Sequence, residues 1–221
     1  MTSPKQNIPV ASGVVLGDMT KHVADFVKYA LSSENHNPGI YYFAILASAC
    51  YFESVLEEFS NLWCTSKASQ DEGFQGRLME VIAKDVSRAT GLDTWKKWLR
   101  TLYGIEFPKV IGEDWKTLDI LFQLRNQLAH GRTTKFTHFW NTDNGRFLGM
   151  TLDGSSYEAP FKHLIEKGVM NVPEGQVPNA DLLLTLNVAS YFWLVVERSI
   201  ASLEKIPELS ELRRGATSGR V

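Results

Sequence analysis

Residues 114–131 read DWKTLDILFQLRNQLAHG, and the reading of this stretch decides how the chain is organised. Trp115, Leu118, Leu121, Phe122, Leu124 and Leu128 recur at spacings of three and four, the period of an amphipathic helix. At about 100° per residue, Arg125 falls near the middle of that apolar stripe, while Asn126 and His130 share its flank. A guanidinium pointed at a core must be paired or must line a cavity. Gly131 suits the C′ position of an ending helix, and a cationic imidazole is favoured at the negative end of a helix dipole. Those two rules account for His130 and Gly131 but leave Arg125 unexplained. An Arg and a His brought together where a helix ends are suited to holding and cleaving a phosphodiester.

Working outward, the pattern predicts a bundle. A helix is expected over 18–31, with Val23, Phe26, Val27 and Ala30 at helical spacing. Asn37 and Pro38 form a good helix start, an N-cap followed by Pro at the first position. The helix they open is expected to run to about Cys64 and is apolar almost all round, which marks it as central. Its exception is Glu53, one heptad after Leu46 and followed by Glu57 on the same flank. Glu57 reads as a solvated charge. Glu53 sits among apolar neighbours and is a candidate to pair with Arg125 across the bundle.

The polar segment 65–73 is expected to be a loop, followed by helices over 75–89 and 93–103 separated by Gly91. In the second, Trp95, Trp98, Leu99 and Leu102 form one face. A connector with Pro108 is expected over 104–112, and Asp114 is expected to cap the next helix. Beyond Gly131 aromatics alternate with polar residues around a turn-rich NTDNG at 141–145, the pattern of a hairpin. A short helix over 161–167, a Pro-bearing loop over 171–179 and a last long helix over 181–205 complete the reading. The fold class is therefore mostly α, an antiparallel helical bundle with a small β-hairpin insertion at about 133–152. In domain terms, 1–17 is an irregular leader, 18–206 a single domain and 207–221 a flexible tail.

Composition limits function. Hydrophobic residues at 44% and charged residues at 22% suit a globular domain with a substantial core. A net charge of −2 excludes a strongly basic nucleic-acid binder, so any RNA site must be a local patch such as Arg125, Arg132 and Lys135. The apolar run 40–52 is too short to span a bilayer, and the first twenty residues lack the pattern of a signal peptide. Cys50 and Cys64, on one helix, are about 21 Å apart in rise and cannot bridge. Two unpaired cysteines fit a reducing cytoplasm.

The string RNQLAHG at 125–131 resembles the Arg-x4–6-His motif of the HEPN superfamily (higher eukaryotes and prokaryotes nucleotide-binding), often written with Asn after the Arg. The specific resemblance covers about eight residues; the helical order around them is compatible over most of the chain. It implies a HEPN-like bundle and a metal-independent endoribonuclease, with an active site formed across a homodimer and no cofactor. In that reading the 2′-hydroxyl of RNA attacks the adjacent phosphorus, leaving a 2′,3′-cyclic phosphate and a 5′-hydroxyl. His130 is the general base or acid, since imidazoles titrate near neutral pH. Arg125 stabilises charge on the phosphate oxygens, and Asn126 orients His130 or binds a phosphate oxygen. A toxin or phage-defence role, with an antitoxin or regulatory protein as partner, belongs to the same expectation. Some HEPN toxins carry a modifiable Tyr two residues after the His; here Arg132 stands there, so that regulation does not carry over. The rival expectation is a non-catalytic HEPN-like module for dimerisation or partner or nucleotide binding, with Arg125 in a structural ion pair and His130 only a cap.

Other chemistries find no motif. The five His show no HExxH pair, the cysteines have no zinc spacing, and no Walker loop, GxGxxG or GxSxG is present. Cys64, beside Trp63, reads as a packing residue. The aromatics of 134–148 could stack on unpaired bases, but a small hairpin must bury such residues on the bundle.

Overall fold

The computed structural model describes residues 18–32, 37–70, 73–130, 137–140, 147–151, 157–172, 180–207 and 209. Helix α1 spans Asp18–Ser32 and α2 spans Pro38–Gln70. The start of α2 is fixed as its sequence indicates: Asn37 Oδ1 accepts the Gly39 N–H at 2.8 Å, and Pro38 pre-sets φ for the first turn. Its end departs from expectation. The segment 65–70, read as loop, continues the helix, because Lys67, Ala68 and Gln70 are good helix formers and Ser and Thr oppose them only weakly. The added turns lengthen the surface against which α3, Phe74–Val86, packs. That helix stops short of the expected 89, in a turn where Ala89 N–H returns to the Val86 carbonyl.

Helix α4, Leu92–Tyr103, begins after Gly91 and buries Trp95 and Leu99, with Trp98 and Leu102 half-buried on the same face. The expected connector contains a short helix α5, Phe107–Ile111; Pro108 is tolerated in its first turn and Phe107 and Ile111, four apart, are both buried. Helix α6 spans Asp114–Ala129. Its N-cap residue is Glu113 rather than Asp114. The Asp114 carboxylate instead accepts two parallel bonds from Arg198, at 2.8 and 2.7 Å.

Strands β1, Thr137–Trp140, and β2, Phe147–Thr151, pair antiparallel, Thr137 opposite Thr151, with a register shift after Phe139. The intervening 141–146, with the NTDNG turn, lie outside the described residues, as do 1–17, Gly131, Arg132, Lys135, 173–179 and most of the tail. Helix α7 spans Glu158–Glu166, opening three residues earlier than expected. The expected last helix is divided: a 3-10 turn at Ala180–Leu183 precedes α8, Leu186–Leu203. Thr185 makes the division, its extended backbone and hydroxyl capping the Val188 N–H.

The core gathers on α2, which packs on α1, α3, α4, α6 and α8. Ile45, Phe52, Leu56 and Phe59 from α2 meet Leu118 and Leu121 of α6 and Phe192 and Val196 of α8, all of them sealed from solvent. The Phe52 ring lies 6.0 Å from Phe107 and 6.3 Å from Phe122. By length and composition, α2 from Pro38 to Thr65 is apolar enough to cross a membrane, a span longer than the 40–52 run weighed above. In this fold its apolar faces serve as the centre of the bundle.

Phe52→Ala should cost about 3–5 kcal/mol, the cavity cost of deleting a sealed ring, whereas Phe43→Ala, at a ring 58% exposed, should cost about 0.5 kcal/mol or less. Denaturant unfolding of the two variants measures the difference; similar losses would place the core elsewhere.

Candidate functional site

A carboxylate on the apolar α2 needs partners, and Glu53 has them on two other helices. One of its oxygens accepts from Arg125 Nη2 in an ion pair. The other accepts the Gly91 N–H at 2.8 Å. Gly91 takes φ +81°, a conformation that strains any residue with a Cβ. It is the N-cap of α4, so Glu53 also lies at the positive end of that helix's dipole. The ion pair of Glu53 with Arg125 across the bundle is the one the sequence offered.

Arg125 is held on three sides. Besides Glu53, its Nη1 donates to Asn126 Oδ1 at 2.9 Å, and its guanidinium carbon sits 5.7 Å from the centre of the Phe122 ring. The side chains of Arg125 and Glu53 are 21% and 16% exposed, so the pair is neither sealed in the core nor free at the surface. Asn126 and His130 are exposed. His130 is the C-cap residue of α6, its N–H returning to the Asn126 carbonyl at 3.3 Å. Among the described residues no hydrogen bond joins the His130 ring to Arg125. Five residues turn a helix by about 500°, which separates the two side chains by about 140° around the axis.

Two contributors escaped the sequence reading. Tyr42 donates its hydroxyl to the Leu128 carbonyl at 3.0 Å, satisfying one of the carbonyls that a helix end leaves over. Cys50, one turn before Glu53, lies within reach of the same guanidinium. Although Cys50 is exposed, desolvation by the surrounding protein, with help from the Glu53 charge, pushes its thiol above the ordinary range, while the Arg125 charge and hydrogen bond act in the opposite direction. The spacing of Cys50 and Glu53, three apart on α2, was the signal that could have placed both beside Arg125. Cys64 is buried on α2 and desolvation raises its pKa to about 11, which makes it a packing residue and a poor nucleophile. Glu57 is half-buried on α2.

Among the described residues no three His, Cys, Asp or Glu side chains gather closely enough to hold a metal ion. What the arrangement offers chemically is a positioned guanidinium, an exposed carboxamide and an exposed imidazole at one end of α6. Comparison with protein-family models, with curated proteins and with solved structures gave no match.

Because the pair is half-buried, Arg125→Ala should cost about 1–3 kcal/mol, between the values of exposed and sealed ion pairs. Glu53→Ala should cost about 1 kcal/mol more, since it also strands the Gly91 N–H. Equilibrium unfolding of both variants tests the order; an Arg125→Ala loss equal to or larger than that of Glu53→Ala would remove the second role of the carboxylate.

Proposed function

We propose that this chain is a HEPN-type endoribonuclease that cleaves RNA without a metal, as a cytoplasmic homodimer. The observation that carries the reading is the fastening of Arg125 by Glu53 and Asn126 on the same helix end as an exposed His130. A guanidinium already oriented loses less entropy when it meets a phosphate, and its charge is then in place as the phosphorane develops. Arg125 binds the non-bridging phosphate oxygens, and His130 takes the proton from the 2′-hydroxyl or returns one to the 5′-oxygen. Asn126, on the same flank as His130, bridges the two groups, and Glu53 is the positioning residue. The angle of about 140° between Arg125 and His130 favours a site completed by a second copy, with the Arg of one α6 facing the His of the other. In that arrangement the two α6 ends also concentrate positive charge that a chain of net charge −2 does not otherwise offer. A toxin or defence role, with a regulatory protein partner, is the biological setting this chemistry fits.

One observation favours a second reading, a non-catalytic HEPN-like module for dimerisation or for binding a partner or nucleotide. The Glu53 carboxylate occupies part of the Arg125 fork and ties α2 to α6, as a purely structural pair would.

Incubation of the purified chain with mixed RNA in EDTA separates the two. Wild type should produce fragments ending in 2′,3′-cyclic phosphate. His130→Ala should abolish them while costing at most about 1–2 kcal/mol of stability. Arg125→Lys should reduce cleavage by ~10²–10³-fold with the fold intact, because the ammonium lacks the planar fork. Cleavage that disappears with EDTA, or that survives in the His130 variant, overturns the mechanism. No cleavage of any RNA by wild type, together with a collapsed Arg125→Ala variant, leaves the module.

A further inference from the structure

The first turn of α6 carries a second polar assembly, about 12–20 Å along the helix from Arg125 and His130. Its centre is Thr117, 1% exposed, whose hydroxyl lies 2.9 Å from His163 Nε2 on α7 and 3.2 Å from the Tyr191 hydroxyl on α8. The flanking ion pairs join the same three helices: Lys116 with Glu166 at 3.8 Å, and Asp114 with Arg198. His163 is 2% exposed, and among the described residues its Nδ1 has no hydrogen-bond partner.

We propose that the His163–Thr117–Tyr191 chain is an acid-released latch that holds α7 and α8 to the start of α6.

The chemistry follows from the ring's two nitrogens. A neutral imidazole meets Thr117 through Nε2, and the hydroxyl passes the hydrogen bond on to Tyr191. A doubly protonated ring must donate from both nitrogens. Its Nε2–H still finds Thr117, but its Nδ1–H becomes a buried cationic donor without an acceptor among the described residues. The surroundings oppose the cation as well. The charges of Lys116 on α6 and Lys167 at the end of α7 oppose it, and among the described residues Glu166 supplies the compensating negative charge. From α8 Tyr191 contributes a neutral hydroxyl, and Arg198 is committed to Asp114. Burial, followed by the two lysines, holds the His163 pKa below its ordinary 6.5. The sign is therefore set. The unfolded chain takes up a proton near pH 6.5 while the folded chain still refuses it. The latch's contribution is fully present above pH 6.5 and is lost as pH falls from there through the lowered folded value. Because α7 is short and its buried face is Pro160, Phe161, His163 and Leu164, which includes the titrating ring itself, it is the element that protonation displaces first. This inference does not rest on the nuclease reading.

The test is the pH dependence of unfolding of the full chain between pH 7.5 and pH 4.5, wild type beside His163→Gln. The Gln carboxamide can reach the Nε2 position but does not titrate. Below pH 6.5, and until the folded ring itself takes up the proton, the wild-type unfolding constant should rise relative to the variant by up to about tenfold per pH unit, the limit set by one extra proton. Amide exchange in Glu158–Glu166 should accelerate over the same range in wild type alone. Should the Gln variant fail to fold, the His163 ring of wild type can be titrated by NMR, where it must protonate below the ordinary imidazole value of 6.5. Equal pH slopes for the two proteins, or a His163 that titrates at or above 6.5, overturns the proposal.

Discussion

A charge on the central helix of a bundle must be balanced before the helix can be packed, and in this chain Glu53 is such a charge. Its carboxylate answers the requirement twice, with the Arg125 guanidinium on α6 and with the Gly91 amide that opens α4. Three helices thus meet on one side chain. The desolvation that Glu53 suffers on α2 is offset only when α4 and α6 are both in place, so a single polar group specifies the arrangement of otherwise non-directional apolar faces. Around it the core can be built from side chains that care only about shape: Phe52 against Phe107 and Phe122, Leu56 and Phe59 against the rest.

The same constraint gives the end of α6 its chemical character. Arg125 is kept from the bulk of the core by the Phe122 ring and kept from free solution by Glu53 and Asn126. It is an arginine whose geometry is defined before any ligand arrives. His130 differs in kind. It is exposed, attached to the rest of the site through the backbone bond to Asn126, and free to orient with whatever approaches. The site therefore combines one rigid and one adaptable member, and the bare chain places them on different sides of the helix axis.

Much of this was legible in the sequence, for reasons that can be named. The period of α6 is unmistakable, and a guanidinium in its apolar stripe demands a partner; Glu53, the odd charge in the apolar α2, is the natural one. Periodicity also located the other principal helices. It failed where the outcome depends on weak local preferences decided by tertiary packing. The residues 65–70 are nearly neutral between helix and loop, and the presence of α3 alongside tips the balance. Thr185 and Glu113 became caps because of backbone geometry that no apolar pattern encodes. The Thr117–His163–Tyr191 assembly was illegible for a related reason. Each member lies among other polar residues of its own helix and carries no distinguishing pattern, and their separations of 46 and 74 residues leave no spacing to recognise.

The hydroxyl of Tyr42 on the Leu128 carbonyl joins residues 86 apart in sequence and fastens the last turn of α6 to the first turns of α2. Contacts of such separation form late, after the loop between them has been closed. Glu53 and Arg125 are 72 apart and obey the same rule. The geometry of the Arg–Asn–His end of α6 is therefore a tertiary property: the helix can supply the residues, but only the docked α2 supplies the Glu53 and Tyr42 contacts that fix them. A chain in which α2 had not docked would carry the Arg–Asn–His sequence without the fastened guanidinium.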